Sequence, residues 1–287
     1  MAERILLKTT IPTTDDDWHV GRFSLVAEHL RSLSDGHGER LYDVLAADRT
    51  EAPDGDDAEL KAAAAGAFDQ VWLIAVDDVG ALTDGDVRNL EAFRAQGGGL
   101  YITRDHQDLG SCIAKLGALG RTQHFQSVNP EEDEGRRVCD DVETSTITWP
   151  NYHSGANGDL QPVEAADHPL MRRPDGSRIE RLPAHPHEGA VGAPRELAGV
   201  ATVVATGRST RTGNRFNLAV AVEEDGKGRG VADSSFHHIA DYNWDTKAGC
   251  PSFVEEAPGD EVHRDAAALD DTRTYVANVA AWLARRI

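Results

Sequence analysis

Most of the side chains that could do chemistry in this chain stand in three short histidine-bearing segments. They are Arg104-Asp105-His106, His185-Pro186-His187-Glu188 and His237-His238. Imidazole titrates near neutrality, so His106 or His237 could act as a general base, with Asp105 or Glu188 as its partner. Neutral imidazole also ligates Zn²⁺ and other first-row ions, and Asp105, Asp108 or Asp241 could orient such a histidine from behind. Arg104 could anchor a substrate anion, or equally pair with Asp105 or a neighbouring helix. With 12 histidines in 287 residues, pairs also arise by chance, and each residue taken singly fits a structural role.

Further candidates surround these segments. Tyr242-Asn243-Trp244-Asp245 follows the double histidine, and Trp149-Pro150-Asn151-Tyr152-His153 offers a similar mix. Such aromatics can stack on sugar rings, or plug the edge of a core. Asp17, Trp18 and His19 stand in the loop after the first apolar stretch. Cys112, Cys139 and Cys250 are odd in number and far apart, so they read as buried free thiols rather than a disulfide framework.

These candidates must be positioned by an α/β scaffold. The stretches 4–10, 41–47, 71–76 and 100–103 read as strands. Amphipathic or Ala-rich helices lie between them, over about 23–33, 58–67 and 84–96. Thr83 and Asp86 make an approximate capping box, and Gly97-Gly98-Gly99 stops that helix. Strand and helix alternating at this spacing predict right-handed βαβ units, a mostly parallel sheet, and ligands beyond the carboxyl ends of its strands. Candidate loops are then 11–21, Asp77-Asp78 and 104–108. A short helix starts near Gly110. Residues 126–183 read as an irregular insertion, strand-like only at Thr144 to Thr148. Strands return at 199–206 and 216–222, and a turn at Asp225-Gly226-Lys227-Gly228 leads into 230–235. A final helix is built on Ala268, Tyr275, Val276, Val279, Trp282 and Leu283. The whole, 1–287, is expected to be one domain.

Formal net charge is -20, which repels phosphate backbones and argues against nucleic-acid binding. No apolar run is long enough to span a bilayer, and the N-terminus has no secretory pattern. A cytoplasmic protein acting on a small-molecule ligand is expected, with homo-oligomerisation left open.

The stretch from Val71 to Asp78, the helix ending at Gly97-Gly98-Gly99 and the strand Leu100 to Thr103 together resemble a class I glutamine amidotransferase-like domain. Asp167-His168-Pro169-Leu170, His187-Glu188, and Gly228-Arg229-Gly230-Val231 leading to Ser235-Phe236-His237 are similar to the ThuA-like (trehalose utilisation) branch. The resemblance implies a flavodoxin-like three-layer sandwich. It also implies that the three histidine segments face one cleft. Converging there, His106, His187, Glu188 and His237 would suit a divalent metal by their chemistry, and Arg104, Trp18, His19, His238 and Tyr242 are candidates to surround a substrate. The family's nucleophilic cysteine is missing. The turn reads Thr103-Arg104-Asp105-His106-Gln107, Cys112 lies too far along, and His238-Ile239 replaces the expected Pro-Glu after Phe236-His237. Glutamine hydrolysis by a thiolate is therefore not expected. Two readings stand: an enzyme of hydrolysis or proton transfer on a polar or carbohydrate-like metabolite, metal-assisted or not, and a non-catalytic ligand-binding or regulatory module.

Overall fold

Apolar runs with residues for both faces build the centre of a sheet in the computed structural model, which describes residues 2–76, 80–134, 137, 140, 150–265, 267 and 269–287. The first strands are β1 (Glu3–Thr9), β2 (Tyr42–Ala47), β3 (Gln70–Ile74) and β4 (Gly99–Thr103). After them come β5 (Gln123–His124), β6 (Leu160–Ala165), β7 (Arg181–Pro183) and β8 (Ala190–Val191). The last are β9 (Ala201–Arg208), β10 (Arg215–Val222) and β11 (Gly230–Asp233).

Nine of these strands form one sheet in the order β2-β1-β3-β4-β11-β10-β9-β6-β7, and β5 pairs with β8 in a separate ribbon. The pairs from β2 through β11 are parallel, and those from β11 to β7 are antiparallel. The parallel half has the strand order of a flavodoxin-like doubly wound fold.

Side chains alternate between the two faces of each strand, and two cores result. Ile5, Leu7, Trp72, Ile74, Tyr101 and Val231 bury one face. Leu6, Val71, Leu73, Leu100, Ile102 and Ala232 bury the other. Helices α1 (Ser24–Ser32), α2 (Ala58–Ala64), α3 (Asp84–Ala95), α4 (Gly117–Arg121), α5 (Asp241–Trp244), α6 (Glu261–Arg264) and α7 (Asp270–Leu283) flank this sheet. Val26 and Leu30 of α1, with Tyr275, Val279 and Trp282 of α7, cover the first face. Leu60 of α2, Leu90 and Phe93 of α3 and Leu119 of α4 cover the second.

The ends of α3 follow the sequence closely. Thr83 Oγ1 accepts from Asp86 N, and Asp86 returns the bond to Thr83 N at 3.0 Å, so the capping box is complete. At the other end Gly97 N donates to Arg94 O and Gly98 N to Phe93 O, with Gly97 at φ 95°. That left-handed conformation is cheap only for glycine.

The stretch 126–183 departs from expectation. It contributes β6 and β7, which extend the sheet antiparallel beyond β9. Tertiary pairing supplies the order that local periodicity does not show. The expected strand at Thr144 to Thr148, the loop Asp77-Asp78, and Cys139, Trp149 and Ala268 lie outside the described residues. Cys112 is buried as expected, whereas Cys250 is half-buried. Among the described residues no helix is long and apolar enough to cross a membrane.

Candidate functional site

Strands β4 and β11 are neighbours in parallel register, with Tyr101 opposite Val231 and Ile102 opposite Ala232. Their carboxyl ends therefore deliver the turn 104–107 and the segment 233–238 to one place. A backbone bond from Phe236 N to Arg104 O, 2.8 Å, ties the two together. The segment around His187 joins them because residue 189 is glycine. A Cβ there would stand 2.3 Å from Ser234 O and 2.5 Å from Arg104 Nη1. Paired backbone bonds between Tyr152 and Glu188 fasten the same segment from the far side.

One carboxylate organises the histidines. Asp105 Oδ1 lies 2.8 Å from His106 Nδ1 and 3.4 Å from His237 Nε2. Burial pushes the Asp105 carboxyl up, but His106 and His237 outweigh it and hold the group well below the usual carboxylate range. The ring of His185 stacks on that of His237 at 3.4 Å between centroids and 14° between planes. His187 meets His106 at 5.5 Å and His185 at 5.9 Å. Trp18 packs edge-on against His237 at 4.9 Å. Burial, with the charge of His237, keeps His185 well below its ordinary value, so this ring is neutral. His106 keeps 19% of its side-chain surface exposed, against 3% for His187 and His237. His187 also lines a cleft of about 450 Å³ with His153, Pro186, Arg211 and Glu256. The three segments thus come together, with His106, His187, His237, Asp105 and Trp18 among the meeting residues.

The other expected site residues lie elsewhere, for identifiable reasons. Glu188 turns away from His106 and His187 and is fully buried. Its carboxylate accepts from Ser154 Oγ at 3.2 Å and Ser234 Oγ at 3.1 Å, and stands 3.5 Å from His238 Nε2. The expected metal set of His106, His187, Glu188 and His237 therefore does not assemble. Among the described residues no group of three or more His, Cys, Asp or Glu could hold a metal ion.

Arg104 is not a surface anchor. It is wholly buried, donates to the carbonyls of His124 and Gln107, and lies 4.0 Å over the Phe125 ring. Burial pushes its guanidinium down to about 9. His19 accepts from Gly21 N at 3.1 Å and caps a short 3-10 turn. His238 is fully buried, with Nδ1 2.5 Å from Asp233, so it faces the interior rather than a substrate. Tyr242, on α5, is buried with its hydroxyl beside the Cys250 thiol. Burial and that thiol push the phenol up to about 12. Asp241 caps α1 through Ser24 and Leu25, and Asp108 binds Ser127, so neither orients a histidine of the cluster. His168, one of the residues carrying the family resemblance, packs edge-on against Trp282.

Two participants had not been assigned site roles. His185 stacks on His237 although its own segment suggested only His187 and Glu188. Asp233 is the last residue of β11, and a carboxylate closing an apolar strand was the available signal. At the turn itself Gln107 adopts φ 51°, a left-handed conformation uncommon for a side chain of this size.

No protein-family model matches the sequence, and no curated protein matches it either. Several solved structures are similar in fold. The mmIFT52 N-terminal domain aligns with a TM-score of 0.50 and 14% identity over 97% of this chain and 96% of that one. The glutaminase domain of Trypanosoma brucei CTPS with bound acivicin gives 0.47 and 14% over 99% and 94%. A ThuA-like protein from Parabacteroides merdae gives 0.47 and 12% over 91% and 96%. At such identities the likeness concerns architecture alone. By its strand order the chain is a flavodoxin-like α/β protein.

Proposed function

We propose that this protein is an enzyme of proton transfer or hydrolysis acting on a small polar metabolite, without a thiolate. The observation that supports this most directly is the single oxygen of Asp105 shared by His106 and His237. A carboxylate on Nδ1 of His106 fixes the proton there and leaves Nε2 as the basic nitrogen. His106 is also the most exposed imidazole of the cluster, so it is the group that meets substrate and moves the proton. His237 Nδ1 is buried without a hydrogen-bond partner among the described residues.

The test is turnover across a panel of sugar derivatives and chromogenic esters. His106→Ala and His237→Ala should each reduce the rate by roughly 100-fold or more, with melting temperatures close to that of the parent. Asp105→Asn should fall between. Dialysis against EDTA should leave the rate unchanged. Retained turnover in both alanine variants, or unfolding of both, would sink the proposal.

A second reading, a binding module that lost its chemistry, draws support from the near-complete burial of His185, His187 and His237. Saturable binding from the same panel without conversion of any compound would select it.

A further inference from the structure

Behind the imidazole cluster lies a second, wholly buried layer. His238 Nδ1 is 2.5 Å from Asp233 Oδ1, and its Nε2 is 3.5 Å from Glu188 Oε1, an ion-pair distance without an aligned hydrogen bond. Four hydroxyls complete the two carboxylates. Tyr101 and Tyr275 donate to Asp233 Oδ2 at 3.1 and 3.0 Å, and Ser154 and Ser234 donate to Glu188. Trp244 Nε1 holds the His238 carbonyl at 2.8 Å. All three charged residues have no exposed surface.

The layer joins six separate parts of the chain: β4, the Ser154 loop, the 185–189 segment, the end of β11, α5 and α7. Ser154 Oγ has one proton, within reach of both Glu188 and the His185 carbonyl, and it accepts from His185 N at 3.1 Å, so Glu188 and His185 share one hydroxyl. We infer that His238, held between Asp233 and Glu188, is a positioning residue that fixes the 185–188 segment so that His185 lies flat on His237 beside Asp105. Burial opposes charge on His238, but Asp233 and then Glu188 overcome it and push the ring up to about 10, so the clamp is ionic at neutral pH. A buried ion with two carboxylate partners is better suited to specifying one geometry than to adding stability.

The inference rests on the proposed proton-transfer site, but its test does not depend on turnover. The probe is the set of imidazole proton and nitrogen resonances in the full chain at pH 7.5. In the parent, His238 should show both ring nitrogens protonated. His238→Gln and the isosteric Glu188→Gln should each remove the ring-current shifts that His185 and His237 impose on one another. Near-UV circular dichroism reports whether each variant folds. His106→Ala should leave those shifts in place while abolishing turnover. If His106→Ala keeps turnover but the clamp variants lose the shifts, the catalytic proposal fails and the clamp stands. A folded clamp variant with His185 and His237 at their parental positions overturns the inference. So does a parental His238 that is neutral at pH 7.5. If neither variant folds, the residue is structural and the inference is also overturned.

Discussion

Asp105, His185 and His238 titrate in different senses, and their signs predict how stability depends on pH. His238 is raised in the folded state, so its contribution is full below its ordinary value of 6.5 and declines as pH rises toward about 10. His185 is depressed, so its contribution is present above 6.5 and is lost as pH falls below that value. Asp105 is also depressed, so its contribution is full above 3.8 and is lost only as pH falls from there toward its much lower folded value. Calorimetry across pH 4 to 10 should therefore show a melting-temperature maximum near pH 6.5, at the crossover of the two histidine limbs. In His238→Gln the alkaline limb should flatten while the acid limb stays, and an unchanged alkaline limb would contradict the assignment. The positions of His106, His237 and Asp105 were legible because each stands just beyond the end of a recognisable strand. Glu188 was misread because sequence gives a carboxylate's position but not the direction it turns. The serines that capture it, Ser154 and Ser234, come from distant segments. Arg104 was open for the same reason, since its burial against Phe125 depends on the later turn at 123–129.

Elements whose signals are local were read almost to the residue, and α3 is the clearest case. Thr83 caps it, returns a bond to Asp86, and donates to Asp56 at 2.6 Å, so one hydroxyl joins α3 to the loop before α2. Thr83→Ala should lower unfolding free energy by about 1 kcal/mol, the ordinary cost of an N-cap. Urea denaturation measures this, and a change within error would mean that Asp56 and water replace the cap. Strands β6 and β7 were not legible. Pro162 interrupts the first, the second has three residues, and neither alternates clearly. Proline is tolerated in β6 because pairing there is partial: Pro162 stands opposite Arg181, and the bonds to β9 begin only at Val163. Propensity could not reveal strands that exist because β9 and the sheet edge receive them.

Charge governs the molecule as a whole. Acidic residues outnumber basic ones by 49 to 29, so at low ionic strength the folded surface repels itself. Many surface pairs exist, such as Arg181 with Asp265 and Arg121 with Glu196, but exposed pairs contribute little. Screening should therefore help more than it harms. Raising sodium chloride from 0.05 to 0.5 M, which shortens the screening length from above about 10 Å to well below it, should raise the melting temperature by several degrees. A fall would show that ion pairs outweigh the net repulsion. The sheet order has a separate kinetic consequence. Strand β11 sits between β4 and β10, yet it leaves the ribosome after both. Until it arrives, β4 presents a bare row of amide and carbonyl groups, the kind of edge that recruits other chains. Nascent chains ending before Gly230 should be more prone to self-association than the finished protein. Refolding should be slow as well, because closure of the sheet waits on contacts between residues more than a hundred positions apart.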